Sequence, residues 1–386
     1  MQPGNLWRVA AMVIAFIPLL ACSAQGDPVV GGVPQTVPDT RRSDLAGYKV
    51  ETWVEGLEIP WSLVFISAEE ALVSERPGRI RLIRQGRVLP EPYAEPEGLH
   101  TGEGGLMGLA LHPEFPDPPY IYAMQTYREG GRSANRVVRL RHAGERATAD
   151  RVIIDKIPGH RVHNGGRIGF GPDGMLYITT GDIWQADLAQ DPDSLAGKIL
   201  RLTPDGAVPA DNPREGSPIY SSGHRNPQGL AWHPATGGLF SSEHGPSGEY
   251  GLRGRDIINV IEKGGNYGWP RTVGKVNRPP YIDPLIMWET ATPPGGVAFW
   301  NGDLFVATLR SEALIRIQVT PRDGGYQVTA IERWFTEDHA DVAFGRLRDT
   351  VVGPDNRLYI LTSNRDGRGR VRPGDDRIVR ISVDGP

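Results

Sequence analysis

The chain has 386 residues, with 42 Lys and Arg against 46 Asp and Glu and a net charge of −4, a balance that does not suggest a nucleic-acid partner. Its single cysteine excludes a disulfide framework. The 49 glycines and 34 prolines suit many short strands joined by turns, and no long helical period stands out.

In chain order, Arg8 is the only charge before an apolar run from Val9 to Leu20. That run is too short to span a membrane and suits a secretory leader. It ends Leu19-Leu20-Ala21-Cys22, which resembles the lipobox of bacterial lipoproteins, with Cys22 as the acylated residue after cleavage. The alternatives are a plain signal peptide cut nearby, or a leftover buried thiol. Ser23 follows, with no Asp there to argue for retention in the inner membrane. Residues 1–22 are therefore expected to be a lipoprotein signal peptide. The expected location is exported, on the periplasmic side, as an outer-membrane lipoprotein touching the membrane only through a lipid anchor at Cys22. Residues 23–45, rich in Gly, Pro, Ser and Thr, read as a flexible tether.

Over the remaining residues, 46–386, one phrase recurs six times. It has an aromatic, His-Pro or Gly-Pro lead, a polar turn, and an apolar strand. The clearest copies lie at 170–182, 232–245, 299–310 and 352–364, with looser ones at 65–75 and 111–127. Successive copies are roughly 45–65 residues apart, the length of one four-stranded propeller blade. Such a repeat cannot bury its apolar face alone, and a closed ring protects nearly all sheet edges. The expected fold is all-β, a six-bladed β-propeller, with chemistry at the mouth of the central channel.

Polar residues at the ends of these phrases are the candidates. In H-N-G-G-R (163–167), His163 is flanked by Asn164 and glycine, and is expected to be accessible and fit for general-base work. Taken alone, it is as readily a turn histidine bonding backbone. Asp182 closes the next phrase and could orient the imidazole or a substrate. G-H-R-N-P-Q-G-L (223–230) offers Arg225 and Asn226, a guanidinium fork suited to carboxylates or a quinone oxygen. With Arg310, Arg346 and Arg348 it would make a polyanion site if all face one mouth. The Gly245-Pro246 turn leaves carbonyl oxygens free for a hard cation. The basic run Arg365–Arg377 reads as a solvated loop.

These motifs, together with G-E-G-G-L-M-G-L-A-L-H-P-E-F (102–115), K-I-L-R-L (198–202), E-H-G-P (243–246) and K-G-G-N-Y-G-W-P (263–270), resemble the glucose/sorbosone dehydrogenase family, and most closely its soluble aldose sugar dehydrogenases dependent on pyrroloquinoline quinone (PQQ). The resemblance implies a quinoprotein that oxidises the anomeric carbon of aldoses to lactones, with PQQ and Ca²⁺ as cofactors and an external electron acceptor. It implies His163 as base, Asp182 beside the substrate, and Arg225 and Asn226 on the quinone. Gly245 and Pro246 would hold calcium through their carbonyls, and Arg346 and Arg348 would clamp cofactor carboxylates. Arg310 stands where the glucose enzyme has Lys, and Glu103 where it has Gln. Trp288 falls near an aromatic lid over the cofactor. A second, structural calcium would rest on Asp256 and Tyr267, since Ile257 stands where the family has an acid. Two rival functions are a calcium-dependent propeller lactonase or hydrolase, and a non-catalytic binding propeller.

Overall fold

The computed structural model describes Met1 and residues 26–42, 44–336 and 343–384, so Cys22 and the leader lie outside the described residues. Six antiparallel sheets follow one another along the chain. From the inner strand outward, blade 1 is Pro60–Phe65, Glu70–Glu75, Arg79–Arg84 and Arg87–Ala94. Blade 2 is Leu106–Leu111, Tyr120–Glu129, Arg132–Ala143 and Arg146–Pro158. Blade 3 is Ile168–Phe170, Leu176–Thr180, Lys198–Leu202 and Ile219–Ser222. Blade 4 is Pro227–Trp232, Leu239–Glu243, Asp256–Ile261 and Ile286–Trp288. Blade 5 is Pro294–Trp300, Asp303–Thr308, Leu314–Arg322 and Gly325–Trp334. Blade 6 takes Leu347–Val352, Leu358–Thr362 and Ile378–Val383 from the end of the chain, and its outer strand, Tyr48–Val54, from near the start. That last pairing, with Val54 opposite Ile378 and Tyr48 opposite Val383, closes the ring.

The fold is the expected six-bladed propeller, and each recurring phrase is the hairpin joining an inner strand to the second strand of its blade. The cores lie between blades. Leu72 and Leu82 of blade 1 meet Ile121 and Leu140 of blade 2. Tyr122 and Met124 of blade 2 meet Ile178 and Leu200 of blade 3, and Tyr177 of blade 3 meets Leu239 and Ile261 of blade 4. Phe240 and Ile258 of blade 4 meet Val306 and Ile315 of blade 5. Phe305 and Trp334 of blade 5 meet Ile360 and Val379 of blade 6, and Leu361 and Ile378 of blade 6 meet Leu63 and Val73 of blade 1. Each blade thus buries both faces only when both neighbours are present, which couples the ring.

The tether expected over 23–45 is corrected by this structure from Val29 onward. Val29–Val30 pairs in parallel with Thr272–Val273, and Asp39–Arg41 pairs in parallel with Ile331–Arg333 at the outer edge of blade 5. Gln35 exchanges two hydrogen bonds with the Met287 backbone, and Asp39 pairs with Arg333 at 2.7 Å. Composition misled here. Gly31 is small because a Cβ there would lie 2.0 Å from the Lys275 carbonyl, so it marks close packing rather than freedom.

Candidate functional site

Antiparallel pairing brings the start of each inner strand and the end of each second strand to the same rim. Glu103, His163, Arg225 and Arg346 precede inner strands, while Asp182, His244 and Arg310 follow second strands. Residues distant in sequence therefore meet at one mouth. There a cavity of about 580 Å³ is lined by Glu103, His163, Trp184, Arg225, Pro246 and Arg310 among others. It shares Glu103, His244, Leu309 and Arg368 with a smaller space of about 190 Å³ bounded by Trp61, Arg76, Gln228 and Arg348. Deeper along the axis the inner strands are bolted together. Arg167 Nη1 of blade 3 bonds Asp349 Oδ2 of blade 6 at 2.9 Å and its guanidinium lies 4.4 Å from the Trp61 ring of blade 1.

His163 is the centre of the outer cavity. It is only 5% exposed, a correction to the accessible histidine expected from its glycine neighbours, because the turn after Asp182 folds over it. A Cβ at Gly181 would lie 2.0 Å from the His163 carbonyl, so glycine is required for that approach. His163 Nδ1 bonds Asp182 Oδ1 at 2.7 Å, and Nε2 faces Arg225 Nη2 at 3.0 Å. A carboxylate oxygen here can only accept and a guanidinium can only donate. The pattern is satisfied by imidazole carrying its proton on Nδ1 and a lone pair on Nε2. Asp182 is fixed in turn: the Trp184 backbone N–H donates to Oδ1 at 2.9 Å and the Trp269 indole N–H to Oδ2 at 2.8 Å.

Arg225 is held on several sides. Its Nε donates to Glu249 Oε1 at 2.8 Å, Nη1 to the His244 carbonyl at 3.2 Å and its backbone N–H to Glu243. Glu243 also takes His224 Nδ1 at 2.9 Å, and His224 Nε2 meets Ser221 Oγ at 2.8 Å. This Ser-His-Glu set is buried throughout, so it braces Arg225 rather than offering a nucleophile.

Glu103 accepts the His163 backbone N–H at 3.1 Å and pairs with Arg368 at 2.6 Å. Burial works against its ionisation, but the Arg368 charge and neighbouring histidines hold its pKa down to about 2. His244, whose Nε2 lies 2.9 Å from the Pro294 carbonyl, is pushed down to about 3 by burial. Arg348 is lowered to about 9, again by burial. Its Nη1 bonds Gln228 Oε1 at 2.9 Å, while its buried Nε has no hydrogen-bond partner among the described residues.

The expected arginines divide between the two spaces. Arg225, Arg310 and Arg346 line the outer one and Arg348 the inner one. Arg346 is already paired with Asp366 at 2.8 Å, both side chains buried. Arg310 is exposed and carries no ion pair or hydrogen bond among the described residues. Arg368, from the run expected to be a solvated loop, reaches both spaces. Asn226 is fully buried, its Oδ1 taking the Gly165 N–H at 3.0 Å and Gln228 Nε2 at 3.2 Å; it borders neither space.

Gly245 and Pro246 line the outer cavity, and neither carbonyl accepts a hydrogen bond among the described residues. Oxygen acceptors left open in this way fit a hard cation. Asp256 and Tyr267, expected to hold a second cation, each make two hydrogen bonds. Both Asp256 oxygens are taken by backbone N–H groups, from Gly245 at 2.9 Å and Thr292 at 2.7 Å, and burial raises its pKa. The Tyr267 hydroxyl donates to the Val260 carbonyl at 2.6 Å and accepts the Glu262 N–H at 2.8 Å. Trp288 is likewise corrected as a lid. It is the end of blade 4's outer strand, packed in the core with Phe240 and Ile258, its indole N–H donating to Asp39 Oδ2 at 3.1 Å. The aromatic actually at the mouth is Trp184, two residues after Asp182.

Sequence reasoning missed Trp184, His244, Arg76, Gln228 and Arg368 as site residues. His244 and Gln228 stood inside quoted motifs, and Arg368 in the basic run, but only the ring closure brings them together.

A Glucose / Sorbosone dehydrogenase family model matches residues 57–372. Aldose sugar dehydrogenase YliI of Escherichia coli K12 is 32% identical over 355 residues, covering 83% of this chain and 92% of that protein. Quinoprotein glucose dehydrogenase B of Acinetobacter calcoaceticus is 26% identical over 480 residues, covering 97% and 96%. Among solved structures, the PQQ-bound form of aldose sugar dehydrogenase from Streptomyces coelicolor is 38% identical, with a TM-score of 0.77 over 88% of this chain and 99% of that one. The chain belongs to the glucose/sorbosone dehydrogenase family. It is an enzyme, an oxidoreductase acting on CH–OH donors.

Proposed function

We propose that this protein is a PQQ-dependent aldose dehydrogenase that oxidises the anomeric carbon of an aldose to the lactone, assisted by Ca²⁺ and passing electrons to an external acceptor. The observation that carries this is the chain Asp182–His163–Arg225 at the wall of a cavity rich in arginine. PQQ, a flat tricarboxylate, supplies the hydride acceptor when bound, and Ca²⁺ polarises it.

This chain's residues supply the rest. His163 Nε2, the ring nitrogen left with a lone pair and facing Arg225, accepts the proton of the anomeric hydroxyl. Asp182 keeps the ring in the tautomer that leaves Nε2 basic and stabilises the imidazolium formed. Arg225, aimed by Glu249 and Glu243, stabilises negative charge developing on an oxygen beside it. Arg310 and Arg348, which carry no ion pair among the described residues, would balance the carboxylates, while Arg346 would add a guanidinium already partly neutralised by Asp366. The carbonyls of Gly245 and Pro246 would hold the calcium ion.

The lactonase alternative makes no use of so many cations. An optical titration of metal-free protein with PQQ and Ca²⁺, followed by aldose, tests the proposal. Bleaching of the bound quinone by aldose is expected. Failure to bind the quinone, or full activity after chelation of calcium, would overturn the corresponding part.

Export and attachment through Cys22, and hence a periplasmic location, are proposed on the leader alone. Among the described residues no helix is long and apolar enough to cross a membrane.

A further inference from the structure

Trp184 is the largest aromatic left open at the mouth. It is 52% exposed, while every other tryptophan among the described residues is buried or half-buried. The backbone is also strained to hold it there. Ile183 has φ 51° and Trp184 φ 65°, two successive non-glycine residues in the left-handed region, the first β-branched. Two hydrogen bonds fix this turn. The Ile183 N–H donates to the His163 carbonyl at 3.3 Å and the Trp184 N–H to Asp182 Oδ1 at 2.9 Å. That same Asp182 oxygen takes His163 Nδ1. One carboxylate oxygen therefore registers the indole against the imidazole, whose ring centroids lie 4.9 Å apart.

We propose that Trp184 is the substrate platform, a specificity-determining residue whose indole face packs against the apolar C–H face of a pyranose. The sugar then presents its anomeric hydroxyl to His163 Nε2. Pyranoses carry one face rich in C–H, and an aromatic ring anchored on a rigid turn recognises it at little entropic cost. This rests on the sugar-dehydrogenase reading. It concerns a contact with substrate alone, so Trp184 leaves the quinone's affinity unchanged.

The test uses the holoenzyme and the protein without cofactor. In the holoenzyme, Trp184→Ala is expected to raise KM for aldose about tenfold, with kcat within about threefold of the parent. Trp184→Phe should fall between the two, and PQQ affinity should be parental in both. In protein labelled with 5-fluorotryptophan, the ¹⁹F line absent from Trp184→Phe should shift on addition of aldose without cofactor. An unchanged KM in Trp184→Ala overturns the proposal. So does a loss of PQQ affinity, which would put the ring against the cofactor. If the parent itself fails to oxidise aldoses, the proposed function falls, and the ¹⁹F titration alone decides whether Trp184 meets a sugar: a shift supports the platform and a still line removes it.

Discussion

Replacing Asp182 with Asn keeps the shape of the side chain and removes its charge and one acceptor. Asp182 is buried and accepts three hydrogen bonds, two at Oδ1 from His163 and the Trp184 backbone, and one at Oδ2 from the Trp269 indole. The amide can settle in two ways. With its oxygen at the Oδ1 position, it still accepts from His163 and Trp184, and its NH₂ faces the Trp269 N–H, leaving one mismatched donor pair. With the amide turned over, NH₂ faces both His163 Nδ1 and the Trp184 N–H. The imidazole must then carry its proton on Nε2, against Arg225 Nη2, which makes two mismatches. An unsatisfied buried donor costs about 1–3 kcal/mol, so the first arrangement wins by about that amount. The histidine therefore keeps its working tautomer and loses only the charge that stabilises the imidazolium. That puts the fall in kcat near the lower end of the range for general-base effects, about 10²-fold, rather than at 10⁴. Stability should drop by about 1–3 kcal/mol. Steady-state rates at saturating cofactor and denaturant unfolding measure both. A kcat within threefold of the parent, or an unfolding free energy that does not change, would refute the reasoning about how Asp182 works.

Three further outcomes are expected. Arg348→Ala removes a cation whose one side-chain hydrogen bond among the described residues is to Gln228, so PQQ affinity should fall about tenfold or more, from the loss of a charge-assisted bond worth roughly 1.5–3 kcal/mol, with kcat recovering at saturating cofactor; equally tight binding would misassign it. Glu103, held at about 2 against an ordinary 4.5, contributes stability that is fully present above about pH 4.5 and lost as pH falls toward 2. Glu103→Gln should flatten that acid limb in unfolding measured against pH, and an unchanged limb would show that the Arg368 pair contributes nothing. Cys22→Ala should move the protein from the membrane fraction to the soluble one without loss of specific activity, and identical fractionation of mutant and parent would rule out the lipid anchor.

The hairpin phrases were legible because a turn and the strand after it are local: Pro-Asp-Gly at 172–174 and the apolar run 176–180 follow from backbone preferences alone. Their number and spacing carried the blade count, and the polar residues at their ends carried His163, Asp182, Arg225 and Arg310 to the mouth. Local sequence could not say how deep each residue lies. Asn164 and Gly165 beside His163 suggested exposure, yet the turn from blade 3's second strand covers it. Gly and Pro around 31–38 suggested freedom, yet that segment packs along blades 4 and 5, since an unpaired sheet edge takes any strand that can reach it.

Only the closed ring decided which charges are spent. Arg346 meets Asp366, Arg368 crosses to Glu103, and Arg310 is left open, although in sequence all three are basic residues in connections between strands. The same reason put Trp184, not Trp288, at the mouth: Trp288 ends an outer strand packed with Phe240, while Trp184 follows a second strand at the rim. Sequence determines what each blade is made of, because strands and turns answer to near neighbours. The site is a property of the ring, because its residues come from different blades and meet only when the last strand pairs with one from near the start.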